Sequence, residues 1–79
     1  MKKQINSKSI TSLIEAAITM AGSEAKLGKL AGFSQNAIWH AKRNGRCSAE
    51  LAIGIDKATN GAISRRRLRP DLFPDEVSA

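Results

Sequence analysis

The segment that most constrains this chain is Gly22-Ser-Glu-Ala-Lys-Leu-Gly-Lys-Leu-Ala-Gly-Phe-Ser-Gln-Asn-Ala-Ile-Trp-His-Ala-Lys-Arg-Asn-Gly45. It divides at Gly32 into two short amphipathic stretches, each opened by a serine and closed by a glycine. Ser23 and Ser34 carry the hydroxyl that an N-cap uses to accept a hydrogen bond from a backbone N–H in the first turn. Gly32 suits the left-handed conformation that ends a helix without a Cβ clash. The segment therefore predicts a helix, a tight turn and a second helix. Leu27, Leu30 and Ala31 form the expected inward face of the first, with Lys26 and Lys29 in solvent. The second runs from Gln35 to about Arg43, with Ile38 and Ala41 spaced to face the core. Gly28 costs about 1 kcal/mol relative to alanine in mid-helix, which predicts close contact with the second helix. Phe33 is expected to plug the corner.

The same punctuation extends in both directions. An earlier helix is predicted to begin at Ser9 or Ser12, because Ser12 and Glu15 have the spacing of a capping box. Its stripe is Leu13, Ile14, Ala17, Ile18 and Ala21, and Gly22 ends it. Downstream, Asn44-Gly45 is a stop signal and Ser48 opens a fourth helix. Its stripe is Leu51, Ala52, Ile55 and Ala58, before Asn60-Gly61 closes it. Ile53 falls off that stripe, as an exposed isoleucine or as a subunit contact. Ser64 caps one further turn through Leu68. Pro70 and Pro74 forbid continuation, so Leu72 and Phe73 are expected to fold back onto the core. No stretch alternates as a strand would. The expectation is an all-α domain of four main helices plus a short C-terminal helical turn over residues 9–74. A basic leader, 1–8, and an acidic tail, 75–79, are expected to be flexible.

A length of 79 residues allows one domain, near the lower limit at which a single core, burying roughly 60% of the unfolded surface, stands without staples. The lone Cys47 excludes an internal disulfide framework and a Cys-rich zinc site, and reads as a small filler in a reducing cytosol. No apolar run approaches the roughly 18 residues of a membrane span. Met1-Lys-Lys lacks the apolar region of a signal peptide, so a cytoplasmic chain is expected. Thirteen Lys and Arg against 7 Asp and Glu give a formal charge of +6. A small protein this basic points to nucleic acid or an anionic membrane surface. Its basic residues lie on several short capped helices and not on one long amphipathic face, which argues against the membrane. With one His, one Cys and no paired carboxylates in a cleft-forming context, no enzyme, metal, cofactor or small-molecule ligand is expected.

A helix-turn-helix holds its second helix in the major groove, about 12 Å wide, by packing it on the first. Small residues belong where the two approach, and Gly28, Ala31, Gly32, Ala37 and Ala41 meet that need. What remains outward is Ser34, Gln35 and Asn36, then Trp39 and His40, then Lys42 and Arg43. Gln and Asn bond bidentately to adenine N6 and N7, and the two cations suit phosphate or guanine. Trp39 reads either as an aromatic cover over the helix pair or as a contact to a thymine methyl. The run Arg65 to Arg69 reads either as a solvated turn or as a phosphate clamp.

Several pieces together carry a resemblance. They are Gly22-Ser-Glu-Ala, Leu30-Ala-Gly-Phe-Ser-Gln-Asn-Ala-Ile-Trp, Asn44-Gly-Arg-Cys-Ser-Ala-Glu-Leu-Ala, Ala58-Thr-Asn-Gly-Ala-Ile-Ser and, most specific, Leu68-Arg-Pro-Asp-Leu-Phe-Pro. Over roughly residues 10 to 74 the chain resembles the Cro-like, YdaS-type transcriptional regulators of lambdoid phages and prophages. The resemblance implies a lambda-repressor-like fold and a sequence-specific repressor that occupies double-stranded operator DNA, as a homodimer at least on DNA. It implies Ser34, Gln35, Asn36 and His40 as the groove-facing set, with Trp39, Lys42, Arg43 and Arg46 near bases or backbone. The alternative is an antitoxin-like interaction module whose main partner is a protein toxin. One position departs from the pattern: many helix-turn-helix proteins of this group have glutamine where this chain has Glu24. A carboxylate cannot donate to a phosphate, so Glu24 is expected to act within its own helix, where a negative charge in the first turn is favourable.

Overall fold

The computed structural model describes residues 7–73; the predicted leader up to residue 6 and the acidic tail 75–79 lie outside the described residues, as does Pro74. The chain forms α1 (Ser7–Ala21), α2 (Glu24–Ala31), α3 (Gln35–Asn44), α4 (Ala49–Ala58) and α5 (Arg65–Leu68). No strand occurs among the described residues. The fold is all-α with a helix-turn-helix, as the punctuation predicts.

Every helix after α1 opens on a serine. The hydroxyls of Ser23, Ser34, Ser48 and Ser64 accept from the backbone N–H groups of Lys26, Ala37, Leu51 and Arg67 at 3.1 to 3.2 Å. Each satisfies one of the N–H groups that a helix start leaves without an internal partner. The turn after α2 is left-handed at Gly32, φ 85°, whose N–H closes on the Gly28 carbonyl. Gly45 ends α3 in the same way at φ 64°. Asn60 and Gly61 both take positive φ after α4.

The helices share one core, in which Ile14, Leu27, Ile38, Ile55 and Leu68 are the largest fully buried side chains. α2 is the hub, packing on α3 and α4, while α1 lies across α2 and α3, and α5 closes on α4. Missing side chains permit the two closest approaches. A Cβ on Gly28 would stand 2.7 Å from the Phe33 carbonyl oxygen, and one on Gly54 would stand 2.5 Å from that of Ala31. The predicted close contact at Gly28 is therefore real, and its target is the turn that launches α3.

Four expectations are corrected. α1 begins at Ser7, ahead of Ser9 and Ser12. Its buried stripe continues back to Ile10, and the Thr11 hydroxyl donates to the Lys42 carbonyl at 2.8 Å, so tertiary contacts hold the first turn and Ser12 lies in mid-helix. Leu30 is 60% exposed. With α3 and α4 on either side, the buried face of α2 centres on Leu27 and Gly28, with Ala31 against Gly54, and Leu30 lies off that face. Ile53 is half-buried and outside the core cluster. Leu72 is 47% exposed, whereas Phe73 packs on the core as predicted. A turn in which the Leu72 and Phe73 N–H groups both donate to the Arg69 carbonyl turns only Phe73 inward, beneath the Arg65 guanidinium.

Cys47 is the buried filler expected of it, and burial, opposed by Arg69, pushes its thiol up to about 11. Arg65, Arg67 and Arg69 bond to neighbouring groups of the fold. Arg65 donates its backbone N–H and its Nε to Asp56 at 2.9 and 3.3 Å, and Arg67 Nη1 donates to the Ala62 carbonyl at 3.2 Å. Arg69 grips Asp71 and reaches the Cys47 carbonyl. The Leu68-Arg-Pro-Asp signature thus works as a staple: Leu68 fills the core and Arg69 fastens the last turn to the loop between α3 and α4.

Candidate nucleic-acid interface

α3 buries one side and presents the other. Ile38 and Ala41 face the core, and the helix packs on α1 and α2, so its opposite side is the outer surface of the helix-turn-helix. Helical spacing sorts that side into two rows, Gln35-Trp39-Arg43 and Asn36-His40. All five residues are exposed, as are Ser34 before the helix and Arg46 after it. The chain thereby gathers amide, aromatic, imidazole and guanidinium groups on one helix face, with the amides at its N-terminal end and Arg43 in its last turn.

Trp39 is 38% exposed and belongs to this surface rather than to the core. The His40 ring meets it edge-on at 5.0 Å and 77° between planes. The Arg43 guanidinium lies over the indole, 5.2 Å from its centroid. An arginine held over an aromatic face loses rotamer freedom before any ligand arrives. The capped start of α3 adds backbone order at the end where Gln35 and Asn36 sit.

Lys42 is placed differently from its neighbours. Its ammonium turns toward α2 and donates to Glu24 Oε2 at 2.6 Å, with both side chains mostly covered. That hydrogen bond, opposed by partial burial and supported by the Gln35 amide, holds the Glu24 carboxyl below the usual carboxylate range. Glu24 therefore acts across the two helices and not only within its own, which its place in the first turn of α2 did not reveal. Lys26 and Lys29 are exposed on α2, as expected. No described helix is long and apolar enough to cross a membrane.

A family model described as bacterial toxin YdaS matches residues 14–77. No curated protein and no solved structure matches the chain. The match covers α2 through α5 and most of α1, so the chain belongs to the YdaS family.

Proposed function

We propose that this member of the bacterial toxin YdaS family is a sequence-specific DNA-binding protein of Cro type, a repressor that reads operator DNA with α3 in the major groove. The observation that carries this reading is the outer face of α3, where Gln35, Asn36, Trp39, His40 and Arg43 stand together in solvent. Gln35 and Asn36 lie at the helix start, the end that enters the groove in a helix-turn-helix, and read base edges. Ser34 belongs with them to the groove-facing set, Arg46 lies near the DNA backbone after the helix, and Lys42 is held by Glu24 at the α2-facing edge. Repression is by occupancy: the bound protein covers a promoter and excludes polymerase. Two copies bind half-sites related by a two-fold axis. No cofactor or catalytic step enters.

The test separates base reading from charge. Gln35→Ala should cost about 1 to 3 kcal/mol on a preferred duplex and little on a scrambled one, since a bidentate base contact carries sequence information. Arg43→Ala should weaken both. Equal losses on both duplexes for Gln35→Ala would overturn the assignment of the recognition face.

A second reading follows from the family description, which names a toxin. In it the chain belongs to a toxin–antitoxin pair and its main partner is a protein. Expressing wild type, Gln35→Ala and Arg43→Ala in a bacterial host distinguishes the two. Growth arrest abolished by both substitutions ties toxicity to the α3 surface and to DNA, whereas arrest that survives both supports the protein partner.

A further inference from the structure

Between Gly22 and Arg46 the chain carries Lys26, Lys29, Lys42, Arg43 and Arg46, and Glu24 is its one acidic residue. That carboxylate sits where α2 begins, beside α3, and takes the ammonium of Lys42 at 2.6 Å. Glu24 and Lys42 keep only 18% and 28% of their side-chain surface in solvent.

We infer that Glu24 neutralises Lys42 and so holds one cation of the α3 surface back from DNA, lowering the affinity that every sequence shares. The inference rests on the DNA-binding reading of α3. Affinity that is blind to sequence comes from cations that displace counterions from phosphates. A lysine already paired with a fixed carboxylate displaces none, and the carboxylate repels a backbone that passes the start of α2.

The experiment uses the full chain, a duplex selected by it from a randomised pool, and a scrambled duplex of the same length and composition. Affinities are measured across a salt series. Glu24→Gln preserves shape and an acceptor and removes the charge. On the scrambled duplex it should steepen the slope of log K against log salt by about 0.9, the contribution of one more neutralised phosphate. The preference for the selected duplex should change little, because the gain from released charge is common to both duplexes. Replacing both, Glu24→Gln with Lys42→Gln, should return the slope to its wild-type value, because the pair contributes no net charge. An unchanged slope in Glu24→Gln overturns the inference. A slope shallower by about 0.9 in the double variant also overturns it, since Lys42 would then be neutralising a phosphate itself. Should Glu24→Gln fail to fold, the double variant decides alone. A wild-type chain with no salt dependence and no preference between the duplexes overturns the DNA-binding reading instead.

Discussion

Arg69 Nη1 donates to the Cys47 carbonyl at 3.0 Å while Nε and Nη2 of the same guanidinium hold both oxygens of Asp71, at 3.0 and 2.7 Å. One side chain thus joins the end of the fold to the loop that follows α3. Because that loop carries Arg46 and leads into α4, the staple also fixes where the candidate DNA surface stops.

Arg69→Ala should lower stability by about 1 to 2 kcal/mol, the value of a charge-assisted hydrogen bond discounted for a guanidinium that is a quarter exposed. In a domain of this size that corresponds to a loss of about 4 to 15 °C in Tm. Arg69→Lys should recover little, because an ammonium cannot hold a planar carboxylate with two parallel bonds and reach a third acceptor. Thermal melts followed by circular dichroism check both. A lysine variant as stable as wild type would mean that charge alone matters at this position.

Gly28→Ala and Gly54→Ala should both destabilise, although alanine gains about 1 kcal/mol of helix propensity over glycine. The new Cβ atoms would meet backbone oxygens at 2.7 and 2.5 Å, where no flexible side chain can move aside. Helices must separate, at a cost of about 1 to 3 kcal/mol beyond that gain. Gly28→Ala should additionally weaken DNA binding by displacing the turn before Ser34. Gly32 offers the contrast, since nothing lies within 4 Å of its would-be Cβ and only φ +85° resists substitution. Gly32→Asn should therefore be milder than Gly32→Val. Chemical denaturation ranks the four, and equal losses for Asn and Val would remove the conformational explanation.

These glycines mark how far the sequence was legible. Capping and stop signals are local chemistry, and the four serines and the glycines at 32 and 45 sit where such chemistry requires. Gln35, Asn36, Trp39, His40 and Arg43 were readable as one face because helical period fixes rows without knowledge of the neighbours. Leu30 was not, since its exposure depends on which sides of α2 are covered by α3 and α4. Gly54 carries no local signal for its approach to Ala31, which is 23 positions away in the chain. The Glu24–Lys42 pair joins residues 18 apart. Its only trace in the sequence was Glu24 itself, the one acid between Gly22 and Arg46. The arginine run was ambiguous for the same reason: Arg65 and Asp56 are 9 positions apart, and Arg69 and Cys47 are 22 apart.

Stability should fall at both ends of the pH range, for opposite reasons. Arg69 holds the Asp71 carboxyl below its ordinary range, against the pull of burial, and Lys42 does the same for Glu24. A carboxyl depressed in the folded state stabilises it above the unfolded value, so this contribution is complete at neutral pH and is lost below about pH 4. Cys47 is raised from 9.0 to about 11 by burial. Above pH 9 the unfolded thiol ionises while the folded one keeps its proton, so stability declines between about pH 9 and 11. Denaturation midpoints of wild type and Cys47→Ala across the alkaline range measure this. The decline attributable to the thiol must vanish in the variant, and parallel curves would show that Cys47 contributes none of it.

Trp39, the single tryptophan of the chain, makes the α3 surface its own reporter. In the free protein the indole is 38% exposed, with the Arg43 guanidinium over its face and the His40 ring at its edge. If α3 enters the major groove, water leaves the exposed part of the ring as bases and sugars approach. Titration with a preferred duplex should therefore shift the emission to the blue, with the midpoint that a mobility-shift assay gives. Arg43→Ala should shift the emission of the free protein to the red by uncovering the indole, and should weaken preferred and scrambled duplexes alike, because a cation in the last turn of α3 reaches backbone rather than base edge. Arg43→Lys should restore much of the affinity, since an ammonium also neutralises phosphate, and less of the emission, since it lacks the planar group that stacks on the ring. Emission that stays constant at saturating duplex would place Trp39 away from the DNA, leaving Gln35 and Asn36 to read bases from the helix start alone.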